Sequence, residues 1–255
     1  MQVLGPVPYP GDMPRSTLTS DQIVEAAVEL LDAEGLEGLN MRALGQRLGS
    51  AATAMYWHVG SKDNLIALAG DRAWNEIVRP DPGVVGWRAA AAAMATELHA
   101  MLTRHPWLVQ AFGSLPMFGP GKAGHDDHIL AVYEAAGFPG AQADQAAATV
   151  FTFVLGNALG TAATASLTRK LSRDADGADG AEGSDGSDGA ELMRDTMARA
   201  AEVAMGFPRL RARLETAAAA DYGAAPDHTF EFGLQTILDG LEARLAALAG
   251  EDLGY

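Results

Sequence analysis

Residues 40–62 read NMRALGQRLGSAATAMYWHVGSK, and this stretch decides the fold. Met41, Leu44 and Leu48 fall at helical spacing, with Asn40 placed to cap the helix that they mark. Gly49 ends that helix, because glycine takes a left-handed conformation at a C-terminus at little steric cost. A second short helix follows, capped by Ser50, with Met55 and Val59 turned inward at i and i+4. Gly45 in mid-helix costs up to about 1 kcal/mol relative to alanine. A helix accepts this where a second backbone crosses close to it, as in a helix-turn-helix. The alternative is a plain helical hairpin buried in an all-α domain.

Polar residues weigh against that alternative. Arg42 sits in a first helical turn, where a cation opposes the helix dipole and gains no stability. Thr53, Tyr56, Trp57 and His58 crowd the second helix, and Lys62 comes directly after it. Aromatics beside a hydroxyl, an imidazole and a lysine suit a surface that meets phosphates and base edges. The reading block is thus Arg42, Ser50, Ala52, Thr53, Ala54, Tyr56, Trp57, His58 and Lys62.

The helix before this stretch reads LTSDQIVEAAVELLDAEG, with a capping box from Thr19 to Gln22 and a stop at Gly35. Together with RALGQRLG and MYWHVGSKDNLIALA it resembles the DNA-binding domain of the TetR (tetracycline repressor) family of bacterial transcription regulators. The run MYWHV followed by a lysine and a leucine is the most specific part of the match. The resemblance implies a double-stranded DNA operator as partner and a fourth helix, residues 62–79, joining DNA-binding and ligand-binding parts.

Composition agrees with an all-α chain. Of 255 residues, 48% are hydrophobic with few aromatics and many alanines, which favours helices. There is no cysteine, so disulfides and cysteine-based zinc sites are excluded. No continuous apolar run approaches the ~20 residues of a membrane span, and a cytoplasmic location is expected. The formal charge of −15 opposes DNA binding as a sum. Salt screens charges beyond about 8–10 Å, so location decides. The acids cluster at Asp174, Asp176, Asp179, Glu182, Asp185 and Asp188, whereas residues 40–62 carry only Arg42, Arg47 and Lys62.

The chain divides into an arm at 1–16 without periodicity, expected to be disordered, a helix-turn-helix domain at 17–79, and a helical ligand-binding and dimerisation domain at 80–255. Within the last, helices are expected at 87–104, 126–136, 141–168, 191–206 and 228–248, with a loop at 113–124 and a disordered acidic linker at 171–190. The segments VYEAAGF and FEFGLQTILDGLEARL resemble the tetracycline-repressor subgroup. In that subgroup the long helix and the last helix build a four-helix dimer interface, here 141–168 and 228–248. An isologous homodimer matches a palindromic operator.

By comparison with that subgroup, the side chains that hold a magnesium–drug chelate correspond here to Val78, Met94, Leu98 and Phe112, with Gly160 near the acidic position. The polar groups of the chelate are missing here, so this chain departs from the subgroup. No metal and no cofactor are expected, tetracycline itself is not expected to fit, and the pocket is expected to be apolar and to take a flat hydrophobic molecule. Its expected lining is Trp74, Met94, Leu98, Met101, Trp107, Phe112, Met117, Phe118 and Phe153. His125 and His128, with Asp126 and Asp127 between them, raise a second reading as a metal-dependent hydrolase. No third ligand and no G-x-S-x-G, P-loop or dinucleotide motif supports it, so no enzyme is expected. His99 and His105 are expected to be pocket or interface polar groups.

Overall fold

The structure, a computed structural model, describes residues 18–177, 187–214 and 226–251. Every regular element among them is helical. The first four are α1 (Ser20–Gly38), α2 (Met41–Arg47), α3 (Ala52–Val59) and α4 (Lys62–Trp74). After them come α5 (Pro82–Val85), α6 (Trp87–Arg104), α7 (Trp107–Ser114) and α8 (Pro120–Ala136). The chain continues with α9 (Gly140–Gly177), α10 (Ser187–Met205), α11 (Pro208–Leu214) and α12 (Pro226–Glu251). The expected arm at 1–16 lies outside the described residues.

Caps set most starts where the sequence places them. Thr19 Oγ1 accepts from the Gln22 N–H at 3.2 Å, and Gln22 Oε1 accepts from the Thr19 N–H at 3.0 Å. Asn40 Oδ1 caps α2 through the Ala43 N–H at 2.7 Å, and Ser61 caps α4 through Asn64. Ser50 does not cap α3. The cap position falls on Ala51, which has no side-chain acceptor, while the Ser50 N–H donates to the Gly45 carbonyl at 2.8 Å. That bond marks the helix crossing. A Cβ on Gly45 would stand 2.7 Å from the Ser50 carbonyl oxygen, so only glycine fits without a backbone shift.

Several ends differ from expectation. α4 stops at Trp74 rather than residue 79; Asn75 keeps near-helical backbone angles and donates its side-chain amide back to the Asp71 carbonyl at 3.1 Å. α8 begins at Pro120, six residues earlier than the 126–136 expected, since proline suits a first turn. α9 runs on to Gly177 and α10 begins at Ser187, so helix enters both ends of the expected acidic linker; 178–186 lie outside the described residues.

Ile23, Ala27, Leu31, Leu39, Leu44, Met55 and Leu65 form the buried centre of the first three helices and the start of α4. α4 then packs on α1 and α3 on one side and on α8 on the other. α6, α8, α9 and α12 form the larger body, where Met94, Leu98, Val132, Tyr133, Val154, Leu234 and Leu238 are buried. Arg88 ties α6 to α12 through Asp239 at 2.6 Å and Glu242 at 3.1 Å. Residues Gly140–Lys170 of α9 are long and apolar enough to cross a membrane by length and composition, with mean hydropathy 1.4, contrary to the sequence expectation. Its small residues are interleaved with single polar ones, so no continuous apolar run announces it. One face of α9 packs on α6, α8 and α12, and the opposite face leaves Leu159 57% exposed.

Candidate nucleic-acid interface and effector cavity

α3 turns Met55 and Val59 into the core and leaves the opposite face to solvent. Trp57 is 90% exposed and Tyr56 46%, both unusual for large apolar side chains on a folded domain. Thr53, His58 and Arg42 are exposed beside them, and Ser50, Ala52 and Ala54 are half-buried at the same end. Arg42 makes no ion pair among the described residues, whereas Arg47 pairs with Glu29 of α1 and is neutralised. The Lys62 ammonium donates to the Leu36 carbonyl at 3.3 Å, so it closes the C-terminal end of α1 as well as flanking α3.

The larger body holds a cavity of about 240 Å³ between α6, α8 and α9. Met94, Leu98, Ile129, Leu130, Val150 and Phe151 give it apolar walls, and Lys122, His125, Asp126 and Asp144 give it a polar side. Of the nine residues expected to line it, only Met94 and Leu98 do. Trp74 is fully buried behind the wall, its ring 4.8 Å from His125 and 6.4 Å from Phe151. Phe112 stands edge-on to Trp74 one layer further out, and Met101 is buried in the helix core. Met117 packs onto Gly70 of α4, Phe118 is 75% exposed, and Phe153 stacks on Phe230 of α12. Trp107 is buried elsewhere, donating its indole N–H to Asp32 at 2.8 Å. The lining of this cavity is thus two-sided, apolar and polar, and not apolar throughout. Lys122, Asp126 and Phe151 were missed, although the Lys122–Asp126 spacing of i,i+4 is a readable ion pair.

Of the positions corresponding to a metal chelate, Met94 and Leu98 line the cavity and the others do not. Val78 is 63% exposed, Phe112 lies off the cavity and Gly160 is exposed on α9. The HDDH segment divides in the same way. His128 Nε2 donates to the Pro80 carbonyl at 2.8 Å, while His125 lines the cavity against Trp74. No group of three potential metal ligands occurs among the described residues.

The Lys122 ammonium is 2.5 Å from Asp126 Oδ2 and lies over the Trp74 ring at 5.2 Å and the Phe151 ring at 5.7 Å. Burial raises the Asp126 carboxyl, but hydrogen bonds from His125 and Lys122 and the lysine charge outweigh it and hold the group below the usual carboxylate range. The start of α8 is bound to α4. The Lys122 N–H donates to Asp71 Oδ1 at 3.0 Å, and Arg79 donates to the Gly121 carbonyl at 3.1 Å. A Cβ on Gly119 or Gly121 would fall within 2.4 Å of Asp71 atoms, so glycines make that seat possible.

Beside this seat, His105 bridges the two bodies. Its Nδ1 is 2.7 Å from Asp32 Oδ1 of α1, and its Nε2 is 3.0 Å from Glu76 Oε1 just after α4. Both ring nitrogens face carboxylates, so the arrangement is fully hydrogen-bonded only when the ring is protonated on both. Burial would lower the His105 pKa, but the bonds and charges of Asp32 and then Glu76 outweigh it and raise the value. Arg104 holds Glu76 as well, at 2.7 Å. His105 is therefore an inter-body tie rather than a cavity group.

Residues 23–69 match the family described as bacterial regulatory proteins, tetR family, and residues 79–245 match the tetracyclin repressor-like C-terminal domain. The chain belongs to the TetR family. The HTH-type transcriptional repressor DrrR1 of Streptomyces coeruleorubidus is 36% identical over 245 residues, covering 95% of this chain and 84% of its own length. The class A tetracycline repressor of Escherichia coli transposon 1721 is 29% identical over 232 residues, covering 89% of this chain and 92% of its own. Among solved structures, the Streptomyces coelicolor TetR family protein ActR in complex with actinorhodin has a TM-score of 0.67 and 27% identity. That likeness covers 89% of this chain and 97% of ActR. TetR-family proteins are DNA-binding transcription factors and not enzymes; they bind operators and ligands and act as dimers. The helix-turn-helix, the all-helical fold and the repressor class read from the sequence agree with this membership.

Proposed function

We propose that the chain is a cytoplasmic homodimeric repressor that holds a palindromic operator and releases it when a small aromatic molecule fills the α6–α8–α9 cavity. The observation that carries this reading is α4. It packs on α1 and on the DNA-reading helix α3, and its last residue, Trp74, lies against His125 and Phe151 of the cavity wall. A ligand that shifts those two side chains acts on α4 by direct contact. Coupling of about 1–3 kcal/mol between the sites is the ordinary scale for such regulation. The complexes of ActR with actinorhodin and with (S)-DNPA support a small-molecule effector for a protein of this shape. Because Val78, Met94, Leu98 and Phe112 offer no carboxylate, imidazole or amide at the chelate positions, effectors act here without magnesium.

On the DNA side, Arg42 and Thr53 reach base edges, Tyr56, His58 and Lys62 hold phosphates, and Trp57 packs along the backbone sugar. Ser50, Ala52 and Ala54 form the close floor of the reading face, where alanines meet thymine methyl groups. The test is binding to a palindrome selected from random DNA by the chain itself, across a salt series. Arg42→Ala should relax base preference. Lys62→Ala should weaken all sequences alike and lower the salt slope by about one unit. Equal losses from both variants on every sequence would overturn the division of roles, and salt-independent binding would overturn the reading as a whole.

A further inference from the structure

Lys122 occupies a surrounding that is built for an ammonium and borders on the cavity. Two aromatic faces, Trp74 and Phe151, and the Asp126 carboxylate enclose its Nζ, and its side chain is only 21% exposed. Aromatic faces with an acid at the side are how proteins recognise ammonium compounds. The occupant, however, comes from the cavity wall itself. Lys122 is on a flexible four-carbon stem whose neighbours in the lining are Asp126 and His125. Asp144, also in the lining, makes no ion pair among the described residues, so the lining holds two carboxylates and one lysine.

We propose that Lys122 is a resident stand-in for an effector ammonium, and that the cavity takes a flat apolar amine which displaces it. This rests on the cavity being the effector site. An amine recovers each contact that the lysine gives up, while the freed lysine regains hydration and rotamer freedom. The electrostatic exchange is close to even, and burial of the amine's apolar body against Met94, Leu98, Ile129 and Val150 drives binding. An acid finds the opposite. Its carboxylate would sit beside Asp126, in a cavity that also holds Asp144, and against ring faces whose quadrupole repels negative charge. Displacement also reaches α4, because the cation over Trp74 changes from a group anchored at the Asp71–Lys122 backbone bond to one anchored in the ligand.

The test uses the full chain and three naphthalenes of one shape, 1-naphthylmethylammonium, 1-naphthalenemethanol and 1-naphthoate, titrated by calorimetry at neutral pH. The amine should bind about tenfold more tightly than the acid. Lys122→Ala, which empties the cage, should tighten the amine by about tenfold and leave the alcohol within about threefold. Lys122→Gln should move the amine in the same direction, and Asp126→Asn should weaken it. Tighter binding of naphthoate, lost in Lys122→Ala, would make Lys122 an anchor for anions and overturn the proposal. Binding of the alcohol with no preference for the amine in wild type or variants would overturn the cage and leave the effector site standing. If none of the three binds either protein, the cavity reading and the proposal fall together.

Discussion

Replacing His105 by glutamine tests the tie between the two bodies. The wild-type ring makes two charge-assisted hydrogen bonds, to Asp32 at 2.7 Å and to Glu76 at 3.0 Å, and is itself only 5% exposed. Such bonds contribute about 1.5–3 kcal/mol each in net terms. Three facts reduce the sum. The Asp32 and Glu76 side chains are 33% and 38% exposed, so solvent screens them. Asp32 keeps the Trp107 indole N–H and Glu76 keeps Arg104. Glutamine also restores one neutral bond. A loss of about 2 kcal/mol remains, which lowers the melting temperature by roughly 4–8 °C for a chain of this size. The pH dependence is the sharper part. His105 has a raised pKa in the folded protein, so its stabilisation is complete below the unfolded histidine value and is lost as pH rises through the folded one. The gap between wild type and variant, followed by circular dichroism or calorimetry, should be widest near about pH 6 and less than half as wide near about pH 9. A gap of equal size at both would show that the ring acts by packing alone and would refute the charged bridge.

Gly45→Ala should destabilise the helix-turn-helix by about 1 kcal/mol, since the overpacking of about 1–3 kcal/mol exceeds the helix propensity gained; unchanged operator affinity by fluorescence anisotropy would contradict the crossing geometry. Leu159→Glu with Phe232→Glu, both on exposed faces, should give a folded monomer by light scattering, and persistence of the dimer would place the interface elsewhere. Lysine at Leu238 or Leu241 should instead unfold α12 locally, because both are buried within the protomer. Tyr133→Phe should raise the melting temperature by about 2–4 °C, since the Tyr133 hydroxyl is buried without a hydrogen-bond partner among the described residues and burial raises its pKa; a fall would reveal a partner.

The reading helices were legible because their signals are local. Thr19, Asn40 and Ser61 cap where their side chains permit, and Gly45 is glycine because the Ser50 carbonyl lies against it. Ser50 was misread because a serine one residue too early resembles a cap and differs only by the backbone angle at Ala51. The cavity was mostly illegible for a different reason. Trp107, Met101 and Phe153 are as apolar as Leu98 and Ile129, and sequence does not distinguish a residue that faces a void from one that faces another side chain. Trp107 is fixed by Asp32, seventy-five positions away in the chain, and no periodicity carries that information. The polar wall was overlooked because Lys122 reads as part of the 113–124 loop, whereas α8 begins at Pro120 and brings Lys122 one turn before Asp126 and over Trp74 and Phe151.

The uncovered side of α9 has a consequence for how the protein behaves as its amount changes. With Gly156, Leu159 and Gly160 open on α9 and Phe232 75% exposed on α12, a lone protomer keeps large apolar side chains in water. When pairing covers such a surface, the free energy of folding contains a mass-action contribution that grows with the logarithm of concentration. Thermal resistance and operator occupancy then rise together as the chain accumulates, and both fall on dilution. A fusion of two copies in tandem would remove that dependence, because the partner's effective concentration would be fixed by the linker.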